Sequence, residues 1–146
     1  MDYTDYDTRL AVYVVLTEDR AEGRHLLLAL WNGPDQRRWT LPGGGAELHE
    51  SIEETAVREV REETGYDVEV GGVLWVSTSV VPARRRFART DRPMKAVRVV
   101  LEGRVVGGSL RDEVGGSTDE ARWLRLDEVA ARPHVSLVDE VLAHLG

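Results

Sequence analysis

Cysteine is absent from this chain of 146 residues. That removes disulfides, zinc–thiolate sites and thiol nucleophiles together, and it suits a cytoplasmic setting. No uninterrupted apolar stretch approaches the ~20 residues of a membrane-spanning helix, and the acidic, polar start from Met1 to Asp7 does not read as a secretory leader. Aromatics are sparse at 6%, with one phenylalanine, and no repeat, low-complexity tract or Pro/Ser-rich linker is visible. Fibrous, disordered, solenoid and membrane classes are thereby set aside. The remaining expectation is one domain over residues 1–146 with its own apolar core.

What is present is charge, at 31% of the residues, against 42% hydrophobic. The formal net charge is −7, from 26 acidic and 19 basic residues, which argues against a nucleic-acid binder. The sum hides a segregation. Residues 47–63 hold seven Glu and two Arg, a net −5, whereas residues 82–98 hold six Arg and one Lys against Asp91, a net +6. A site for a metal and a polyanion needs both kinds of segment.

Leu10 to Leu16 reads as a buried strand, ended by a polar turn from Glu18 to Gly23, with His25 to Trp31 as its hairpin partner. Arg38 to Leu41 is a short extended piece, stopped by Pro42 and by Gly43, Gly44 and Gly45. The strongest helix signal spans about Ser51 to Thr64: Ser51 and Glu54 form a capping box, and Gly65 stands where a left-handed cap belongs. Val68 to Val81 is strand-like with a turn or bulge at Gly71-Gly72, Pro82 to Pro93 is a basic loop, and Ala96 to Val106 is another strand. A short strand at Trp123 to Leu126 precedes helices at Asp127–Ala131 and Val135–Leu145. The pattern predicts an α/β fold, a mixed sheet sandwiched between helices.

On a helical wheel with Ile52 at zero, Ala56 and Val60 fall at about 40° and 80°, defining the buried stripe. Glu63 and Glu59 fall at about 20° and −20°, beside that stripe, and Glu62 at about −80°. Arg58 and Arg61 point the other way, which predicts an exposed Arg58–Glu62 pair. Carboxylates on a buried stripe are costly without a partner and raise one another's pKa unless a cation sits among them. The pattern calls for a hard, oxygen-seeking ion, Mg²⁺ with Mn²⁺ as substitute.

Gly44, five residues, Glu50, seven residues, then Arg58-Glu59-Val60-Arg61-Glu62-Glu63-Thr64-Gly65-Tyr66 resembles the Nudix box. Seven identity positions match, and at about one chance in fifteen each the random probability is on the order of 10⁻⁸ per placement. Tyr66 departs from the bulky aliphatic residue at the last position, and His49 stands where many members carry glycine. The resemblance implies a Nudix-like α/β/α sandwich with a loop-helix-loop catalytic motif, and a MutT-like enzyme that hydrolyses a pyrophosphate link in a nucleoside diphosphate derivative. It implies metal binding by Glu59, Glu62, Glu63 and the Gly44 carbonyl, with Arg58 holding the carboxylates in place. The general base is Glu62 or Glu59 within the box, or Glu120 outside it, with Asp112, Glu113 and Asp119 as rivals. Gly43, Gly44 and Gly45 would let the backbone approach a phosphate. The basic loop, with Arg84 and Arg86, covers the substrate's phosphates, docks on RNA, or is plain solvated surface. Phe87, Trp31 or Trp39 could stack on a base or simply pack, and Pro82 is loosely similar to a proline of ADP-ribose-cleaving members. The expected partner is a small nucleotide, not a membrane, with nucleic acid disfavoured and a homodimer left open. Two other readings stand beside it: a Nudix-fold nucleotide sensor without turnover, and an RNA-processing protein.

Overall fold

Alternation of apolar and polar residues along the longest strands sets the layers. The structure, a computed structural model, describes residues 1–33 and 36–145. Strand β1 (Asp7–Val15) is exposed or half-buried as far as Leu10 and largely buried from Ala11 onward. It continues into β2 (Thr17–Arg20), and β3 (Gly23–Asn32) returns beside β2. There follow β4 (Arg37–Thr40), β5 (Gly43–Gly45), helix α1 (Ile52–Thr64), β6 (Tyr66–Val81), β7 (Met94–Gly108), β8 (Thr118–Arg125), α2 (Leu126–Ala131) and α3 (Ser136–Leu145).

The strands form two sheets. One is mixed, in the order β5-β1-β7-β6, with β1 parallel to β7 and its other pairs antiparallel. In the other, β8 takes one edge of β3 while β2 and β4 share the opposite edge. Two expectations change here. The hairpin partner of β3 is β2, the segment expected to be a turn, and β1 lies in the other sheet. The glycine triplet is not merely a turn: Gly43, Gly44 and Gly45 pair with Tyr13, Val12 and Ala11. Apolar content alone does not say which of two buried strands is the neighbour, because both offer the same pattern.

Side-chain alternation sends Val12, Val14, Val99 and Leu101 toward Ala56 and Val60 of α1. The opposite faces of β1 and β7, through Val15 and Val100, join Leu26, Leu28 and Leu30 of β3 and the apolar stripe of α3. The result is an α/β/α sandwich with a mixed sheet. Helix α1 begins at the Ser51 cap with both capping-box hydrogen bonds present and ends at Gly65, whose φ is 83°. The glycine pair at 71–72 produces a register shift within β6 instead of ending it. Among the described residues, no helix is long and apolar enough to cross a membrane.

Candidate active site

Three glycines and one helix face build the site. Gly43 lies against β1 so closely that an added Cβ would stand 2.2 Å from the Val12 carbonyl oxygen, at a φ of +152°. Only a glycine fits there. At Gly44 the space is filled by a different group: a Cβ would stand 2.7 Å from the Glu59 carboxylate. The glycine strand is therefore the wall against which the acidic face of α1 is pressed.

Glu59 and Glu63 stand on that face as one turn of helix requires. Glu63 is 3% exposed. Among the described residues, the one hydrogen bond its carboxylate accepts is a long one, 3.4 Å, from the Gly43 amide. Burial pushes its pKa well above the usual carboxylate range, and the charge and hydrogen bonding of Glu59 push it further, with Glu113 adding to the effect. Glu62 lies outside this pair, 49% exposed.

Arg58 departs from the wheel's expectation. Its backbone position faces away from the site, yet its long arm folds back and becomes largely buried. The guanidinium donates two hydrogen bonds to Glu50, one to Glu59 Oε1 at 3.0 Å and one to the Gly45 carbonyl at 3.2 Å. Glu62 receives only the weaker contact, at 3.3 Å. The paired fork on Glu50, aided by the Glu47 amide, holds that carboxyl down at about 2. The same carboxylate raises the pKa of Arg58 in return.

A cavity of about 730 Å³ opens beside Glu59, Glu63 and the three glycines. Arg86 and Phe87 line it as the sequence suggested, and Phe87 is 81% exposed at its rim. Arg84 is not part of the lining and its neighbour Arg85 is, because the 3₁₀ turn at Ala83–Arg85 rotates successive side chains apart. Trp31 lines the cavity, whereas Trp39 packs in the core. Glu120 is not brought to the cavity; it accepts a hydrogen bond from Arg122 at 2.7 Å. In the same loop region Glu113 is the carboxylate close enough to act on Glu63, and it is held by Thr118.

The sequence did not single out Arg9, Arg38 and Tyr13 as cavity-lining residues, and it counted Arg98 only within a basic segment. A period-two signal was there: Arg9-x-Ala11-x-Tyr13 in β1 and Ala96-x-Arg98 in β7 put charge on the face that elsewhere feeds the core.

Among the described residues, no three His, Asp or Glu side chains converge on a common point. The two that do converge are all-oxygen: Glu63 is buried with one long hydrogen bond, Glu59 is half-buried and held by Arg58, and the glycine cradle keeps them clear of side chains. That fits Mg²⁺, which is commonly held by one or two carboxylates, with water and substrate phosphates completing its shell.

The profile of the NUDIX domain matches residues 7–145. The chain belongs to the Nudix family. A MutT-like protein of Streptomyces ambofaciens is 35% identical over 119 residues, covering 80% of this chain and 75% of that one. An ADP-ribose pyrophosphatase of Methanocaldococcus jannaschii is 32% identical over 108 residues, 74% of this Nudix chain and 58% of the archaeal one. The chain spans 35% of the length of a Caenorhabditis elegans relative. In fold, it superposes on a MutT NUDIX hydrolase from Burkholderia pseudomallei with a TM-score of 0.77 at 21% identity, covering 96% of this chain and 99% of that one.

Proposed function

We propose that this Nudix chain hydrolyses the pyrophosphate link of a nucleoside diphosphate derivative, with Mg²⁺ as cofactor and Mn²⁺ as substitute. The observation that carries this reading is the pair of clustered carboxylates, Glu59 and Glu63, pressed against a glycine strand at one wall of an arginine- and aromatic-lined cavity. Glu59, Glu62, Glu63 and the Gly44 carbonyl are the residues that would hold the ion. When bound, the ion would offset negative charge on the phosphate oxygens.

The chain's own residues divide the remaining work. Glu59 lines the cavity and is held at its carboxylate by Arg58, so it is the favoured acceptor of the attacking water's proton. Glu62 and Glu120 fit that role less well, one being outside the lining and the other tied to Arg122. The backbone of Gly43 to Gly45 leaves the phosphates room to approach. Trp31 and Phe87 offer flat faces for a base, and Arg86 borders the same space.

The test is product release from a panel that includes nucleoside triphosphates, ADP-ribose, NADH and dinucleoside polyphosphates, with Mg²⁺ and then with EDTA. Hydrolysis in ¹⁸O water should place the label on a phosphate product. Tight nucleotide binding with no turnover of any compound would replace this reading with that of a sensor.

A further inference from the structure

Two of the five arginines in the basic loop expected to meet the substrate, Arg86 and Arg92, are already paired within the protein. Arg86 donates to Asp7 at 2.7 Å and to the Arg92 carbonyl at 2.9 Å, and Arg92 donates to the same Asp7 at 2.8 Å. Together the two guanidinium groups hold the Asp7 carboxyl below its ordinary range.

The strand arginines are in a different position. Arg9 and Arg98 line the cavity, and among the described residues neither has a carboxylate partner or a hydrogen-bond acceptor. Arg98 is half-buried. Ser77, its cross-strand neighbour, offers it nothing, since the Ser77 Oγ is buried without any partner. Exposed Arg9 and half-buried Arg98 are thus committed to no group of the protein, and both guanidinium forks are free to engage an anion that enters the cavity.

Their placement is specific. Arg9 pairs in register with Ala96, and Arg98 with Ala11, so the two arginines stand at opposite corners of a four-residue patch on one face of the sheet. Both alanines are buried, giving a low floor between the guanidinium groups. The Arg9 guanidinium lies 3.3 Å from where a Gly45 Cβ would stand, next to the Gly44 position that faces Glu59. The cationic patch begins where the carboxylate pair ends.

We propose that Arg9 and Arg98 form a subsite for a phosphoryl group beyond the scissile link, so that the substrate class carries three or more consecutive phosphates. The proposal rests on the pyrophosphohydrolase reading and names its substrate. Charge balance selects the class. With Glu59 and Glu63 offset by a divalent cation and Arg86 matched by Asp7, Arg9, Arg38, Arg85 and Arg98 leave four positive charges facing the cavity. A two-phosphate link carries about two negative charges and a nucleoside triphosphate about four, so the longer chain matches better. Arginine also suits the task, because its fork engages two phosphate oxygens at once.

Steady-state kinetics with a nucleoside triphosphate and with ADP-ribose, on wild type, Arg9→Gln and Arg98→Gln, tests the subsite. Arg104→Gln, at the other end of β7, serves as the control for lost charge. The wild type should favour the triphosphate in kcat/KM. Each cavity variant should raise the triphosphate KM about tenfold while changing the ADP-ribose KM less than about twofold. Equal effects on both substrates, or no effect on either, would overturn the proposal. Calorimetric binding of a β,γ-methylene triphosphate in EDTA reads the same pair without turnover or metal. An affinity loss of about tenfold in both variants supports the subsite even if no compound is hydrolysed, which would count against the catalytic reading alone. Unchanged affinity there overturns the subsite whatever the kinetics show.

Discussion

The Glu59 carboxylate occupies the space that a side chain on Gly44 would fill, 2.7 Å from the position of that missing Cβ. Gly43, one residue earlier, meets backbone in place of a movable side chain, at 2.2 Å from the Val12 oxygen. The two glycines therefore separate function from stability. Gly44→Ala should leave the fold intact, because the far end of Glu59 can move, yet lower kcat by about a hundredfold through that displacement. Gly43→Ala should destabilise the protein by about 2–4 kcal/mol, combining a strained backbone with a forced shift of β1. Denaturant melts of both variants, with kinetics of the first, check the contrast.

Glu63→Gln should remove metal-linked stabilisation without harming the metal-free fold. The wild-type Tm should rise by several degrees in saturating Mg²⁺, since a ligand at a hundred times its Kd adds about 2.7 kcal/mol. In the variant that rise should vanish, while the Tm in EDTA equals or exceeds the wild-type value because a carboxyl whose ionisation is opposed by burial and by Glu59 is gone. Turnover should fall on the order of a hundredfold or more. A Mg²⁺-induced Tm shift as large as that of the wild type would remove Glu63 from the metal site.

Asp7→Asn should loosen the basic loop, since one carboxylate receives both Arg86 and Arg92. Limited proteolysis within residues 82–93 should become faster, and KM should rise more than kcat changes. An unchanged cleavage rate would show that the loop is held by other contacts.

His134 supplies a pH dependence. Its Nε2 lies 2.6 Å from Asp139 and its Nδ1 lies 2.7 Å from the Arg132 carbonyl, so the protonated ring satisfies both acceptors. The hydrogen bond with Asp139 raises the pKa above 6.5, against a smaller opposing effect of burial. A raised folded-state pKa means that this stabilisation is fully present below 6.5 and is lost as the pH climbs through the raised value. Chemical denaturation across that range should show the decline in wild type, and Asp139→Asn should flatten it.

Helix α1 was legible to the residue, because its cap, capping box and terminal glycine are local signals that act within a few positions. The inward placement of Glu59 and Glu63 was legible for the same reason, following from helical periodicity. Arg58 was not. Its backbone points away from the site, and only the proximity of Glu50, Glu59 and the Gly45 carbonyl brings the flexible arm back.

The amino-acid sequence alone determined the family and the inward placement of Glu59 and Glu63 on the acidic helix. These depend on spacing within one segment, where the geometry is that of a single helix turn. Tertiary structure decided which charges face the cavity. Asp7 and Arg86 are 79 residues apart, and β1 and β7 are brought together only by parallel pairing. Charge along the chain said that a basic segment exists; strand register decided that Arg9 and Arg98, and not Arg84, line the cavity that holds the glutamates.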